Sequence, residues 1–157
     1  MNDRATNTPW RQNHLGHWLT QALQRFDARV LALMAANDRM PLALANLCAR
    51  ARLTAAHIQI TRHLKVPGMR LSELAAQAGV SKQAMGKLVD QCEAWALVQR
   101  QPDPLDGRAC QVVFTEIGLA WLQAYHEAVD QAEAEWREAV GPAVATVMAI
   151  GLEAYAA

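Results

Sequence analysis

The chain has 157 residues, of which 52% are hydrophobic, 19% are charged and only three are cysteine. That length and apolar share suit one domain with helical extensions and exclude a disordered chain. Fifteen Lys and Arg balance fifteen Asp and Glu, and such a neutral total argues against a nucleic-acid protein, since those domains are usually basic.

Residues 1–9 read as a mobile tail ending at Pro9, with no apolar stretch of the kind a secretory signal carries. From Trp10 to about Ala36, Leu15, Leu19, Ala22, Phe26, Val30 and Leu33 step by three and four, which predicts an amphipathic helix. Asn37, Asp38 and Pro41 break it, and a short helix is expected over 42–50. Thr54 is the N-cap expected for a third helix ending before Pro67 and Gly68. Two more helices are expected over about 72–78 and 82–94, each after a serine cap, Ser72 and Ser81. Residues 97–101 and 111–115 read as strands, with Pro102 to Gly107 as the tip of their hairpin. A long helix is expected over 116–138, and Gly141 with Pro142 separates it from a last apolar helix.

The longest apolar stretch, 139–152, has 14 residues and contains Gly141 and Pro142, short of the ~20 that a membrane span needs. Cys48, Cys92 and Cys110 are odd in number and widely separated, which points to a reducing compartment, the cytoplasm, rather than to a disulfide framework or zinc site.

The segment 71–89 carries the functional signal. A helix-turn-helix needs a tight turn, small residues where its helices meet and an apolar inner face on its second helix. Gly79 takes the turn and Ala75 the close contact. Leu74, Ala78, Val80, Met85 and Leu88 are the expected core positions. Ser81, Lys82, Gln83, Gly86 and Lys87 face outward with no acid among them. Gln83 can read adenine through a bidentate amide contact, and Lys82 or Lys87 can reach guanine or phosphate.

The next residues, Asp106-Gly-Arg108-Ala-Cys-Gln-Val112-Val-Phe114-Thr115, resemble the DxRxxxVxLT pattern of the multiple antibiotic resistance regulator (MarR) family, with Phe114 in the leucine place. Ser81 to Met85 followed by Leu88-Val-Asp90 resembles that family's recognition helix, and Pro102 to Asp106 its wing. The resemblance is strong over about 53–122. It implies a mainly α fold: a winged helix-turn-helix lobe with a small β-hairpin wing, flanked by N- and C-terminal dimerisation helices. It implies that Arg108 enters the minor groove while Asp106 orients the wing through an ion pair. An arginine suits a narrow, electronegative minor groove. Arg70 and Ser72 complete the expected DNA-contacting set of Ser81, Lys82, Gln83, Lys87, Asp106 and Arg108. One departure is Ala96, where the family usually has a glycine that closes the recognition helix in a left-handed conformation. Alanine there costs about 1 kcal/mol.

The resemblance also implies a pocket for aromatic or phenolic anions between the dimer helices and the lobe. Trp10, His14, Trp18 and His57 suit such ligands; plain dimer core is the alternative for each. His14 and His17, three apart, could hold a metal with His57 or His63, but no Cys or carboxylate cluster accompanies them, so no metal or cofactor is expected. Cys92 reads as inert core, and Cys110 at the wing's base is the remaining thiol to consider for redox sensing. There is no phosphate loop, zinc-protease motif or serine elbow, hence no sign of an enzyme. Glu127, Asp130, Glu133 and Glu135 read as a solvated helix face.

The expected organisation is therefore a tail (1–9), N-terminal dimerisation helices that wall the pocket (10–53), the DNA-binding lobe (54–115) and C-terminal dimerisation helices (116–157). The expected function is a homodimeric transcription repressor on an inverted-repeat operator of double-stranded DNA, released by a small aromatic ligand. A redox or metal input and a protein-interaction role for the winged helix are the alternatives. Neutrality does not exclude DNA. Residues 1–53 carry a net +4, 54–115 a net +2 and 116–157 a net −6, so the acid gathers on the C-terminal helices, away from the expected DNA face.

Overall fold

The computed structural model describes residues 8–157, and the tail expected over 1–9 falls almost wholly outside them. A 3₁₀ turn, Thr8–Gln12, precedes helices α1 (Leu15–Ala35), α2 (Leu42–Ala49) and α3 (Ala55–His63). Then come β1 (Met69–Arg70), α4 (Leu71–Ala78), α5 (Lys82–Ala94), β2 (Val98–Asp103), β3 (Asp106–Phe114), α6 (Glu116–Val140) and α7 (Pro142–Ala156). The architecture is mainly helical with one small antiparallel sheet in the order β1-β3-β2, the winged-helix class expected.

Helix α1 begins later than its apolar periodicity predicts. His14 is extended, and its Nδ1 accepts the N–H of His17 at 3.2 Å. A side-chain acceptor at this position satisfies an otherwise orphaned helix donor, so His14 is the cap and Trp10 lies in the preceding 3₁₀ turn.

In the lobe, Gly79 closes α4 at φ 67°, a left-handed conformation that glycine adopts without a Cβ penalty. Ser81 caps α5 by accepting the N–H of Ala84 at 3.1 Å. Ser72, in contrast, is not a cap: α4 starts one residue earlier, at Leu71, and Glu73 reaches back to accept the N–H of Arg70 at 3.2 Å. Leu74, Ala75, Met85, Val89 and Cys92 are buried between the helices. Val80 belongs to the turn itself and stays 37% exposed, so it is not the core residue expected.

The hairpin is longer and its tip tighter than the turn residues suggest. Pairing runs from Val98↔Phe114 to Pro102↔Cys110 and, past an irregularity, to Asp103↔Asp106, which leaves only Pro104 and Leu105 as the tip. Pro102 fits inside a strand because β2 is an edge of the sheet, where a missing N–H breaks no ladder. Thr115 is not in the strand. Its hydroxyl accepts the N–H of Gly118 at 3.0 Å, capping α6, and donates to the carbonyl of Ala96. Strand β1 has no sequence signal, being only two residues paired to Val112 and Gln111.

One apolar core joins the lobe to the long helices. Val30 and Met34 of α1 and Trp121, Ala124, Ala128 and Ala132 of α6 pack in the same cluster as Ile58, Ile60, Leu97 and Phe114. Gly118 makes the closest approach: a Cβ there would lie 1.8 Å from the carbonyl oxygen of Leu97. Asp27 on α1, buried, accepts from Arg62 of α3 at 2.8 Å, and Arg29 on α1 donates to both Glu135 oxygens at 2.7 and 2.8 Å. These bonds from Arg29, with help from Gln131, hold the Glu135 carboxyl down at about 2. The acidic face of α6 is thus in part a tie to α1 rather than wholly solvated, because the antiparallel contact of these helices was not visible in either helix alone.

Helix α7 leaves α6 at a bend of 119°. Only Ala145 is buried, while Val144, Val147, Met148, Ile150, Leu152 and Tyr155 are exposed. No single helix among the described residues is long and apolar enough to cross a membrane.

Candidate nucleic-acid interface

The two parts of the expected DNA face are a helix surface and a strand hairpin, and each is held by a different arginine. On α5, the apolar positions Met85, Val89 and Cys92 turn inward, which leaves Ser81, Lys82, Gln83 and Lys87 exposed. Asp90 and Glu93 lie further along the same helix, where both accept from Arg100 of β2, Asp90 at 2.6 Å. Arg100 also donates its backbone N–H to Glu93 at 2.9 Å. These contacts bind the helix to the wing and offset part of the acid on α5, while Lys82 and Lys87 are in no ion pair among the described residues.

The wing is set by Arg70. Its Nε donates to Asp103 Oδ2 at 2.8 Å, and its Nη2 lies 3.4 Å from Asp106 Oδ2. Asp106 therefore has the ion-pair partner that the resemblance implied. Asp103 has the shorter bond and the more buried carboxylate. The backbone N–H of Leu105, and then the guanidinium of Arg70, hold the Asp103 carboxyl below the usual carboxylate range. Arg70 is thus engaged in positioning the wing, and Arg108 stands exposed near the tip outside any ion pair among the described residues.

Between helix-turn-helix and wing lies a groove of about 390 Å³ lined by Arg70, Leu71, Ser72, Lys82, Arg100, Ala109, Cys110, Gln111 and Val112. It brings Ser72, Lys82 and Arg70 together, as expected of one face, with two groups the sequence reading did not join to them, Arg100 and the exposed Cys110. Arg100 and Asp103 are the functional residues missed. The available signal was Asp90 and Glu93, three apart on one helix, followed within ten residues by an arginine in the next strand.

The aromatic and imidazole candidates do not form one site in the single chain. Trp10, His14 and Trp18 are exposed at the start of α1. His57 is buried in α3, with its ring 5.0 Å from that of Trp95. Its Nδ1 accepts the Thr54 N–H at 3.1 Å, which leaves Nε2–H to donate to Gln91 of α5 at 2.9 Å. Both nitrogens are occupied, and burial pushes the imidazole pKa down despite the bond to Gln91. His57 therefore serves as a neutral joint between α3 and α5, and the groove beside the wing includes none of the four. A second hollow of about 280 Å³, between the end of α1 and α6, includes none of them either. No three His, Cys, Asp or Glu side chains among the described residues converge as a metal would require. Cys92 is fully buried and its thiol is pushed up to about 12 by desolvation, which makes it unreactive.

Ala96 takes the left-handed conformation at φ 57° despite its side chain. The turn that glycine usually makes is therefore kept, with the strain of alanine.

Residues 53–109 match the model of the MarR family. No curated protein matches the chain by sequence. Among solved structures, the fold resembles the transcriptional repressor CouR bound to a 23-mer DNA duplex, with a TM-score of 0.72 and 22% identity over 96% of this chain and 97% of that one. It also resembles CouR from Rhodococcus jostii RHA1 bound to p-coumaroyl-CoA, at TM-score 0.68 and 20% identity over 92% and 93% of the two chains. The reduced form of MarR from E. coli gives 0.68 and 20% over 90% and 96%. The helix-turn-helix, the wing clamped by Arg70 and the match over 53–109 agree: residues 53–109 are similar to the winged lobe of the MarR family, and the whole fold resembles that of solved MarR-family transcription regulators.

Proposed function

We propose that the protein is a sequence-specific DNA-binding regulator without enzymatic activity, acting in the cytoplasm as a homodimer. One observation carries the reading: an exposed, acid-free surface of Ser81, Lys82, Gln83 and Lys87 adjoins a wing whose two acids, Asp103 and Asp106, are both drawn to Arg70. Gln83 and the lysines would enter a major groove and Arg108 the neighbouring minor groove. Helix α7 and the start of α1, whose apolar side chains have no cover in one chain, would pair two copies. A two-fold dimer then calls for an inverted-repeat operator with half-sites about one helical turn apart, ~10 bp or a multiple.

Repression relieved by an aromatic ligand is the regulatory form we favour. The similarity to CouR, a repressor whose structure with p-coumaroyl-CoA is known, supports an aromatic effector class. Trp10, His14 and Trp18 remain candidates only for a site that a second copy completes, since they lie open in one chain. The ligand's effect is bounded by its differential affinity for the two lobe spacings.

Selection of genomic fragments with the purified protein, repeated with a panel of aromatic acids and their thioesters, tests both parts. Arg108→Ala should weaken operator binding and lower its salt slope by about one unit while the dimer persists. Unchanged affinity in that variant would remove the wing from the interface.

A further inference from the structure

We propose that Leu105 reads the minor groove beside Arg108 and selects A·T pairs at the operator's flanks; this rests on the DNA-binding reading above. Leu105 is the most exposed large apolar side chain among the described residues, at 95%. Single exposed leucines are common and need no explanation. Its mounting is what separates it from those.

The tip that carries Leu105 is fixed from both sides. Pro104 restricts the backbone before it, and Asp103 Oδ1 accepts the Leu105 N–H at 2.9 Å while Oδ2 of the same carboxylate is held by Arg70. On the far side Asp106 Oδ1 accepts the Arg108 N–H at 3.2 Å, and Arg70 reaches its other oxygen. One guanidinium, at the start of the first helix of the helix-turn-helix, thus clamps both ends of a two-residue turn. Holding the turn in one shape lowers the entropy lost when its apex docks.

The chemistry of the apex then selects its target. Arg70 withdraws Asp103 and shares its charge with the more exposed Asp106, so the apex presents the apolar Leu105 and, three residues on, the cation of Arg108. The floor of the minor groove differs between A·T and G·C by the guanine 2-amino group. At A·T an apolar side chain meets the C2–H of adenine. At G·C it would bury an amino donor with no acceptor, which is unfavourable. The narrow groove of A·T tracts also draws in the arginine. Both residues therefore prefer the same sequence, through different physics.

Duplexes recovered by the wild-type protein from a random-sequence pool provide the test. Each flanking A·T pair is replaced in turn by G·C and by inosine·C, which lacks the 2-amino group. At one position per half-site, G·C should weaken wild-type binding by about tenfold and inosine·C should restore it. In Leu105→Ser, whose exposed position leaves folding intact, that difference should fall below about twofold, with the salt slope and half-site sensitivity unchanged. Retained discrimination in Leu105→Ser, or equal binding to G·C and inosine·C at every flank by the wild type, overturns the inference while leaving DNA binding in place. Failure of the wild type to recover any duplex overturns both.

Discussion

The winged lobe and helix α7 use their side chains in opposite ways. Within the lobe, each acid of α5 and the wing has an arginine partner: Asp103 and Asp106 share Arg70, and Asp90 and Glu93 share Arg100. The apolar side chains of α4 and α5 are closed over Met85, Val89 and Cys92. Helix α7 has the reverse character, a row of apolar side chains exposed to water and only Ala145 covered. The lobe is complete as one chain, and α7 is not. In the dimer proposed above, α7 is the face that a second copy would cover while the lobe needs no such cover, since a row of exposed apolar side chains is the usual mark of an interaction surface.

The largest expected effect breaks that contrast at its incomplete end. Val147→Asp combined with Ile150→Asp places two charges on the exposed face of α7 without touching the core. Light scattering should show a monomer, with operator affinity lower by about 100-fold because the two lobes no longer bind together. A dimer that survives the change would place the pairing surface elsewhere.

Gly118→Ala tests the junction between lobe and long helix. Its Cβ would meet the carbonyl oxygen of Leu97 at 1.8 Å and a ring carbon of Phe114 at 3.1 Å. Overpacking of this kind should cost about 2–3 kcal/mol in urea denaturation, and a neutral result would mean that α6 can slide from the lobe.

Inside the lobe, Arg70→Ala should leave the urea midpoint almost unchanged, as for other partly exposed ion pairs. Amide exchange at Leu105 and Arg108 should nevertheless accelerate, and operator affinity fall by about tenfold, within the usual range for a lost specific contact. A wing that stays protected would assign its order to the strand pairing alone.

The smallest effect concerns Ala96. Glycine there removes the Cβ strain at φ 57° but frees the unfolded chain, so Ala96→Gly should raise stability by only about 0.5–1 kcal/mol. Thermal melting decides it, and a lower midpoint would show that the strain is relieved elsewhere.

Local rules settled a large part of this protein from sequence. Periodicity and capping placed the helices, with Thr54, Gly79 and Ser81 in the roles their chemistry suggests, because these effects act within a single turn of chain. The exposed set on α5 followed from the same reasoning, and the Ala96 turn was legible from its one unusual residue. Tertiary structure decided the rest. His14, placed inside a helix by periodicity, became the cap of α1. Ser72 looked like a cap and became part of a groove, and His57 proved to join α3 to α5 through Gln91. Strand β1, the pairing of Arg29 with Glu135, and the grip of Arg70 and Arg100 on their acids all join residues distant in sequence or on different elements. No pattern within a helix or strand reports which partner a long charged side chain will reach. That choice depends on how the elements pack, and here packing turned individual charges into the clamp that holds the wing.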